Sequence, residues 1–296
     1  MDILITGGTG FVGKHLTKAL HENGHHTYIL TRSPENKQNT DSATFIGYDH
    51  DVTLLPHIQA VINLAGESLF GYWSKNKKQS ILESRIEITQ SLVEMMSKMD
   101  TKPDVFISGS AVGYFGSSED KIFTEATNEA GCDFLAEVAL EWETVARQVE
   151  DQLNIRTVYL RFGVILGNEG AFPLMRLPVK LFAGGKIGSG EQWLSWIHIH
   201  DVVRLVQFCL NEKTIQGPVN ATAPNPKRNK DFMRIVASVM HRPYWFPVPS
   251  SMIHLVIGEM AQLITKGQYV LPKKAQTHGF QFSYPHLREA INEIEE

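Results

Sequence analysis

Cysteine is scarce in this chain: two residues, Cys132 and Cys209, among 296. Neither a disulfide scaffold nor a cysteine-ligated zinc site can be assembled from two thiols so far apart. An excess of one charge is missing too. Lys and Arg number 28 against 32 Asp and Glu, a formal net charge of −4, so no nucleic-acid partner and no membrane surface is expected. No apolar run approaches the roughly 20 residues of a bilayer crossing. The best candidate, Met252 to Ile264, is short and is interrupted by Glu259. There is no internal repeat and no low-complexity segment. The chain starts directly with a strand, which leaves no space for a signal peptide, and the cytoplasm is the expected compartment. What remains is ordinary: 43% hydrophobic and 20% charged residues, in a length that suits one large or two modest domains.

The most informative run that is present is DILITGGTGFVG, residues 2–13. A short apolar strand, Ile3-Leu4-Ile5, leads into a glycine turn. A helix follows with Val12, Leu16 and Leu20 on one face. Free N–H groups at a helix start, together with the helix dipole, favour a phosphate. Gly7 is read as the tight turn, Gly10 as the place where a pyrophosphate approaches the backbone, and Gly13 as the close contact of helix and strand. A dinucleotide is therefore expected against Gly7, Thr9, Gly10, Phe11, Val12 and Gly13. The alternative is a glycine turn with no ligand.

The next strand, His26 to Leu30, ends at Thr31-Arg32-Ser33. An NAD site usually places Asp or Glu here for the ribose 2′-hydroxyl, and an NADP site a cation. No carboxylate occurs in 28–34, and the Arg32 fork suits a 2′-phosphate. NADP is the expected cofactor, with NAD less favoured; Arg32 as a plain surface charge is the alternative.

Strands at 59–66, 105–108 and 156–160 alternate with helices at 76–98 and 132–151. This alternation predicts an α/β fold, a Rossmann-type doubly wound parallel sheet. Ligands of such sheets sit at the carboxyl ends of the strands, where Asn63, Leu64, Ala65, Gly66, Ser108 and Ser110 fall. Residues 1–165 form the expected nucleotide-binding domain, with sheet contributions from later segments. Beyond it, glycines and aromatics mix through 166–296, read as a smaller substrate lobe growing out of the sheet.

Thr6-Gly7-Gly8-Thr9-Gly10-Phe11-Val12-Gly13 resembles the T-G-x-x-G-x-x-G loop of extended short-chain dehydrogenase/reductases. Asn63-Leu64-Ala65-Gly66 is similar to their N-x-A-G turn along the cofactor. Ser108 to Gly116 is similar to their S-S-A-x-x-Y-G segment, which places the catalytic Ser at Ser110. Trp193 to Asp201 and Asn220 to Pro226 resemble one atypical subfamily, the "epimerase family protein" or sugar-nucleotide-epimerase-like group. Its C-terminal domain of unknown function is resembled by Val248-Pro249, Gly258-Glu259-Met260, Leu271 to Lys274 and Gly279-Phe280, within 246–293. The likeness spans essentially the whole chain. It implies an NADP-binding epimerase or oxidoreductase acting on a small molecule: a sugar nucleotide or a small carbonyl or hydroxyl compound. It also implies that Arg161, Phe162 and Gly163 meet the nicotinamide end. The oligomeric state stays open, a homodimer included.

One departure stands out. The family's chemistry uses a Tyr as acid/base and a Lys four residues later. Counted from Ser110, Phe134 stands at the Tyr position and Val138 at the Lys position, and neither moves a proton. Such a loss removes a factor of about 10²–10⁴ in rate, which favours a second reading, an NADP(H)-binding sensor or scaffold without turnover. The aromatic, glycine-rich stretch from Gly184 to Asp201 favours an enzyme. Arg85 stands where the family has an Asn, four residues before Thr89. It is read either as a buried cation for an anionic substrate group or as a surface ion pair with Glu83 or a neighbour of Glu87. Tyr114 is read as a substitute acid or as a structural residue. His198 and His200 alternate on an apparent strand with only Asp201 nearby, so no metal is expected. His198 is expected to line the pocket, and Asp201 to cap the following helix. Trp193 and Trp196 are read as pocket wall or core.

Overall fold

Successive residues of a strand face opposite sides of its sheet, and here both sides are apolar. Ile3 and Ile5 enter one core with Ile62, Ile107 and Leu160. Leu4 enters another with Val61, Phe106 and Tyr159. Strands buried on both faces belong to a parallel sheet sandwiched between helices, and the computed structural model shows that arrangement. It describes residues 1–296, apart from the side chain of Val256. The strands are β1 (Asp2–Thr6), β2 (His26–Leu30), β3 (Ala43–Ile46), β4 (Ala60–Asn63), β5 (Val105–Ala111), β6 (Arg156–Phe162) and β7 (Gly217–Ala221). Their spatial order is β3-β2-β1-β4-β5-β6-β7, all parallel. The order reverses between β1 and β4, and the crevice above that switch point is where such sheets bind ligands.

Helix α1 (Phe11–Glu22) covers one face through Leu16 and Leu20. Helices α2 (Lys75–Lys98) and α3 (Phe134–Leu153) cover the other through Leu92, Met96, Ala146 and Val149. The chain beyond residue 165 returns to this sheet. A helix at Ile199–Asn211 joins α1 on its face through Val202, Leu205 and Val206, and β7 completes the sheet edge. The lobe also has its own core, with Phe172, Trp196, Phe232, Val236 and Ile291. Its C-terminal part is tied to the nucleotide half: Tyr269–Val270 pairs with Ile122–Phe123.

Two local expectations change. The strand expected over 59–66 stops at Asn63, because Leu64 turns along the glycine loop. His198 and His200 do not share a strand face. The strand ends at His198, whose Nδ1 accepts from the backbone N–H of His200, and the helix begins at Ile199.

Candidate functional site

Gly7 has φ +70, and a Cβ there would stand 2.8 Å from the carbonyl carbon of Leu64. Only glycine meets both demands without strain. A Cβ at Gly13 would stand 2.1 Å from the Gly7 oxygen, so the first turn of α1 lies directly on the loop. Gly10 differs: its Cβ would meet only the Gly7 oxygen, at 3.3 Å, and the exposed backbone there is open to an approaching group. Gly10 caps α1 with no side-chain acceptor. The N–H groups of Phe11, Val12 and Gly13 donate to no atom among the described residues. Three free amides, a helix dipole and a side-chain-free approach suit a pyrophosphate. The Phe11 ring turns aside to pack over Gly167 and Gly170 of the lobe, leaving its amide to the site. Thr9 is exposed and Val12 half-buried.

The turn after β4 runs beside this loop. Asn63 itself faces inward. Thr6 Oγ1 donates to its Oδ1 at 2.7 Å, and its Nδ2 donates to Thr89 Oγ1 at 2.8 Å. Thr89 also accepts from Trp142 Nε1 at 3.1 Å and donates to the Arg85 carbonyl at 2.6 Å. The network fixes the turn, and the Asn63 side chain is spent within it. Leu64, Ala65 and Gly66 form the part open to a ligand. Arg32, just past β2, is exposed and lies in no ion pair among the described residues.

The residues expected to carry chemistry are enclosed. Ser110 is 2% exposed, and its hydroxyl donates to Glu143 Oε1 at 2.6 Å. Arg161 Nε and Nη2 donate to the two Glu143 oxygens at 2.7 and 2.8 Å. The Arg161 guanidinium lies 3.5 Å over the Tyr114 ring, and the Tyr114 hydroxyl donates to the Asn128 carbonyl at 2.9 Å. Ser110, Tyr114 and Arg161 thus share one buried ion-pair assembly in which each polar head has a protein partner. Ser108 is fully buried, its hydroxyl donating to the Gly109 carbonyl. Gly163 abuts the Ser195 carbonyl, where a Cβ would stand 2.5 Å away; it and Phe162 remain half-buried at the end of β6. Glu143 was not among the expected site residues. Its signal is its position on the stripe Ala136, Ala139, Glu143, Ala146, which α3 buries: a carboxylate on an apolar stripe needs a cation.

Phe134 and Val138 belong to an apolar cluster with Trp73, Ile81, Leu69, Met260 and Leu263. The Phe134 ring meets Trp73 edge-on at 5.3 Å. The C-terminal segment closes over this cluster: Lys78 pairs with Glu259, and a Cβ at Gly258 would stand 2.9 Å from the Tyr72 ring. Arg85 forms no ion pair with Glu83 or Glu87. Its half-buried guanidinium lies across Gly66 and over the Trp142 ring at 5.1 Å.

The two tryptophans read as wall or core, and His198, are engaged within the protein. Trp196 is fully buried in the lobe core, its Nε1 donating to the Asn225 carbonyl. Trp193 carries the Arg228 guanidinium over its ring, meets Tyr269 edge-on and donates to the Glu119 carbonyl. His198 caps its helix, with Nε2 2.8 Å from Glu293 of the C-terminal helix Leu287–Glu295. Asp201 does not cap the helix. Fully buried, it accepts from the backbone N–H groups of Ser283 and Tyr284 at 2.8 and 2.9 Å, pinning the C-terminal segment.

A parallel sheet in this order, with a glycine loop and free amides at its switch point, defines a Rossmann-type nucleotide-binding protein bearing a second lobe. The profile of the NAD dependent epimerase/dehydratase family matches residues 3–221, and that of a domain of unknown function, DUF1731, matches residues 248–294. The chain belongs to the NAD dependent epimerase/dehydratase family, in the group of epimerase family proteins that carry this C-terminal domain. It is 46% identical over 298 residues to the epimerase family protein YfhF of Bacillus subtilis (strain 168), covering 99% of this chain and 98% of the relative. The crystal structure of human epimerase family protein SDR39U1 (isoform2) with NADPH superposes with a TM-score of 0.90 at 32% identity, covering 99% of each chain. A nucleoside-diphosphate sugar epimerase from Corynebacterium glutamicum superposes with a TM-score of 0.80 at 31% identity, over 99% of this chain and 58% of that one. The sequence-based family assignment and fold class are thereby borne out. Among the described residues no helix is long and apolar enough to cross a membrane.

Proposed function

We propose that the protein is an NADP(H)-binding member of its family that acts as an epimerase or oxidoreductase on a sugar nucleotide or a small carbonyl or hydroxyl compound. The observation that carries the nucleotide half is the loop at Gly7–Gly13: three free amides, and an approach at Gly10 that no side chain obstructs. Arg32 supports NADP over NAD, since it stands exposed at the end of β2 with no carboxylate paired to it. The human relative's structure with NADPH is consistent with that choice. When bound, the cofactor supplies hydride exchange at its nicotinamide ring. The chain's own part is to hold the pyrophosphate on the α1 amides, to anchor the 2′-phosphate at Arg32, and to set the turn Leu64–Gly66 along the dinucleotide. Ser110, held by Glu143, would orient a substrate oxygen only if that buried pair opens.

The apolar cluster around Phe134 and Val138 favours a second reading, a nucleotide-binding sensor or scaffold. A site with no proton-transfer group there has no evident general acid.

Fluorescence titration with NADPH and NADH tests the cofactor assignment. The wild type is expected to bind NADPH more tightly, and Arg32→Asp to reverse the preference. Equal dissociation constants in the wild type would remove Arg32 from the site. A panel of sugar nucleotides and small carbonyls, followed by NADPH oxidation and by product chromatography, separates the two readings, because an epimerase consumes no net cofactor. Silence across the panel favours the sensor.

A further inference from the structure

We propose that Arg85 is the recognition point for an anionic group, a carboxylate or phosphate, on the molecule that binds beside the nucleotide. This rests on the reading that the glycine loop holds a dinucleotide, and it narrows the substrate to an acid or a phosphorylated compound.

Arg85 belongs to α2, yet its side chain is laid across the turn after β4. A Cβ on Gly66 would stand 3.0 Å from its Cζ and 3.2 Å from its Cγ. The same turn touches Gly7 two residues earlier, through Leu64. The guanidinium therefore stands at the carboxyl edge of the sheet, beside the nucleotide loop, and not on the outer face of α2.

Arg85 Nη1 donates to the Ile81 carbonyl at 2.8 Å and to the Glu67 carbonyl at 3.2 Å. Nε and Nη2 donate to no atom among the described residues, and no carboxylate lies within ion-pair distance. The Glu67 carboxylate is the near candidate, but it is gripped by Lys77 at 2.6 Å. Burial pulls the guanidinium down to about 10, which leaves it charged at neutral pH. The Nε–Nη2 edge is the one that grips a planar or tetrahedral oxyanion in two parallel hydrogen bonds. Arg161 shows the same edge in use, closed on Glu143 at 2.7 and 2.8 Å. In Arg85 that edge has no protein acceptor while Nη1 is already fixed on two backbone carbonyls, so little further ordering is needed to bind.

Inorganic phosphate and malonate serve as probes on the full chain, with and without saturating NADPH, read by calorimetry and thermal shift. The wild type is expected to bind at least one of them. Arg85→Met should weaken that binding by roughly tenfold or more, the worth of one charge-assisted contact, while NADPH affinity stays within about twofold. Arg85→Lys keeps the charge without the fork, should recover only part of the binding, and serves if the Met variant does not fold. Protection of Arg85 from phenylglyoxal by malonate, read by peptide mass, is the matching measurement on the wild type. Equal anion affinity in wild type and variant, or no protection, overturns the proposal. A roughly tenfold loss of NADPH affinity with the anion response intact also overturns it, by assigning the fork to a cofactor phosphate. Should NADPH fail to bind the wild type, the nucleotide reading falls, and the cofactor-free titration still decides the role of Arg85.

Discussion

The two ends of the crevice handle hydrogen bonds in opposite ways. At the glycine loop the donors are backbone amides, left free, and the approach at Gly10 is open. At Ser110 each donor in the Glu143–Arg161 assembly except one Arg161 nitrogen, Nη1, is matched within the protein. Earlier on the same helix as Glu143, Phe134 and Val138 offer only carbon. The first end is built to receive something; the second is built to stay folded. The two ends depend on different atoms, amides fixed by backbone geometry and side chains fixed by packing, so a change at one need not disturb the other.

The contrast can be broken most sharply at Glu143. Glu143→Ala leaves the buried Arg161 cation without its carboxylate and should destabilise the fold by about 3–5 kcal/mol, measured by urea denaturation. A loss under about 1 kcal/mol would mean that solvent reaches the pair and that this end is more open than described. Gly10→Val attacks the other end. Its Cβ meets only the Gly7 oxygen, at 3.3 Å, a contact that a small backbone shift relieves, and it stands where the pyrophosphate must come. NADPH affinity should fall at least about a hundredfold, or about 2.8 kcal/mol, with the thermal midpoint nearly kept. Retained affinity in a folded variant would reduce the loop to a plain turn. Ser110→Ala is the smallest change. Removing one charge-assisted hydrogen bond should cost about 1.5 kcal/mol of stability and leave NADPH binding unchanged. If turnover is found and Ser110→Ala lowers it far more than stability, the hydroxyl does reach substrate and the enclosed end must open.

Much of the frame was legible because it depends on short-range pattern. β2 runs over His26–Leu30 as expected, and the tight turn at Gly7 and close contact at Gly13 follow from the glycine spacing. The enclosed end was not legible, because its key pairs join residues far apart: Ser110 and Glu143 lie 33 positions apart, Glu143 and Arg161 lie 18 apart. A motif match can name Ser110 but cannot say which way its hydroxyl turns. His198 misled for a local reason. Its neighbours Ile197 and Ile199 alternate with it as in a strand, yet the imidazole that accepts from the backbone at residue 200 starts a helix instead. Trp196 was open to two readings, and the register with Val164 turned it into the lobe core.

The sheet's last strand and the helix beside α1 have a consequence for how the protein is made. Both come late in translation, at Gly217–Ala221 and Ile199–Asn211. A nascent chain that ends near residue 165 leaves the rim of Arg156–Phe162 unpaired, and Leu16 and Leu20 lose the helix that shields them. Open strand rims and bare apolar faces invite aggregation. The nucleotide loop leaves the ribosome some two hundred residues before the last strand of its sheet, and the layer behind it is complete only after residue 221 has emerged. The earlier segment must wait for a much later one before its own half of the molecule is whole.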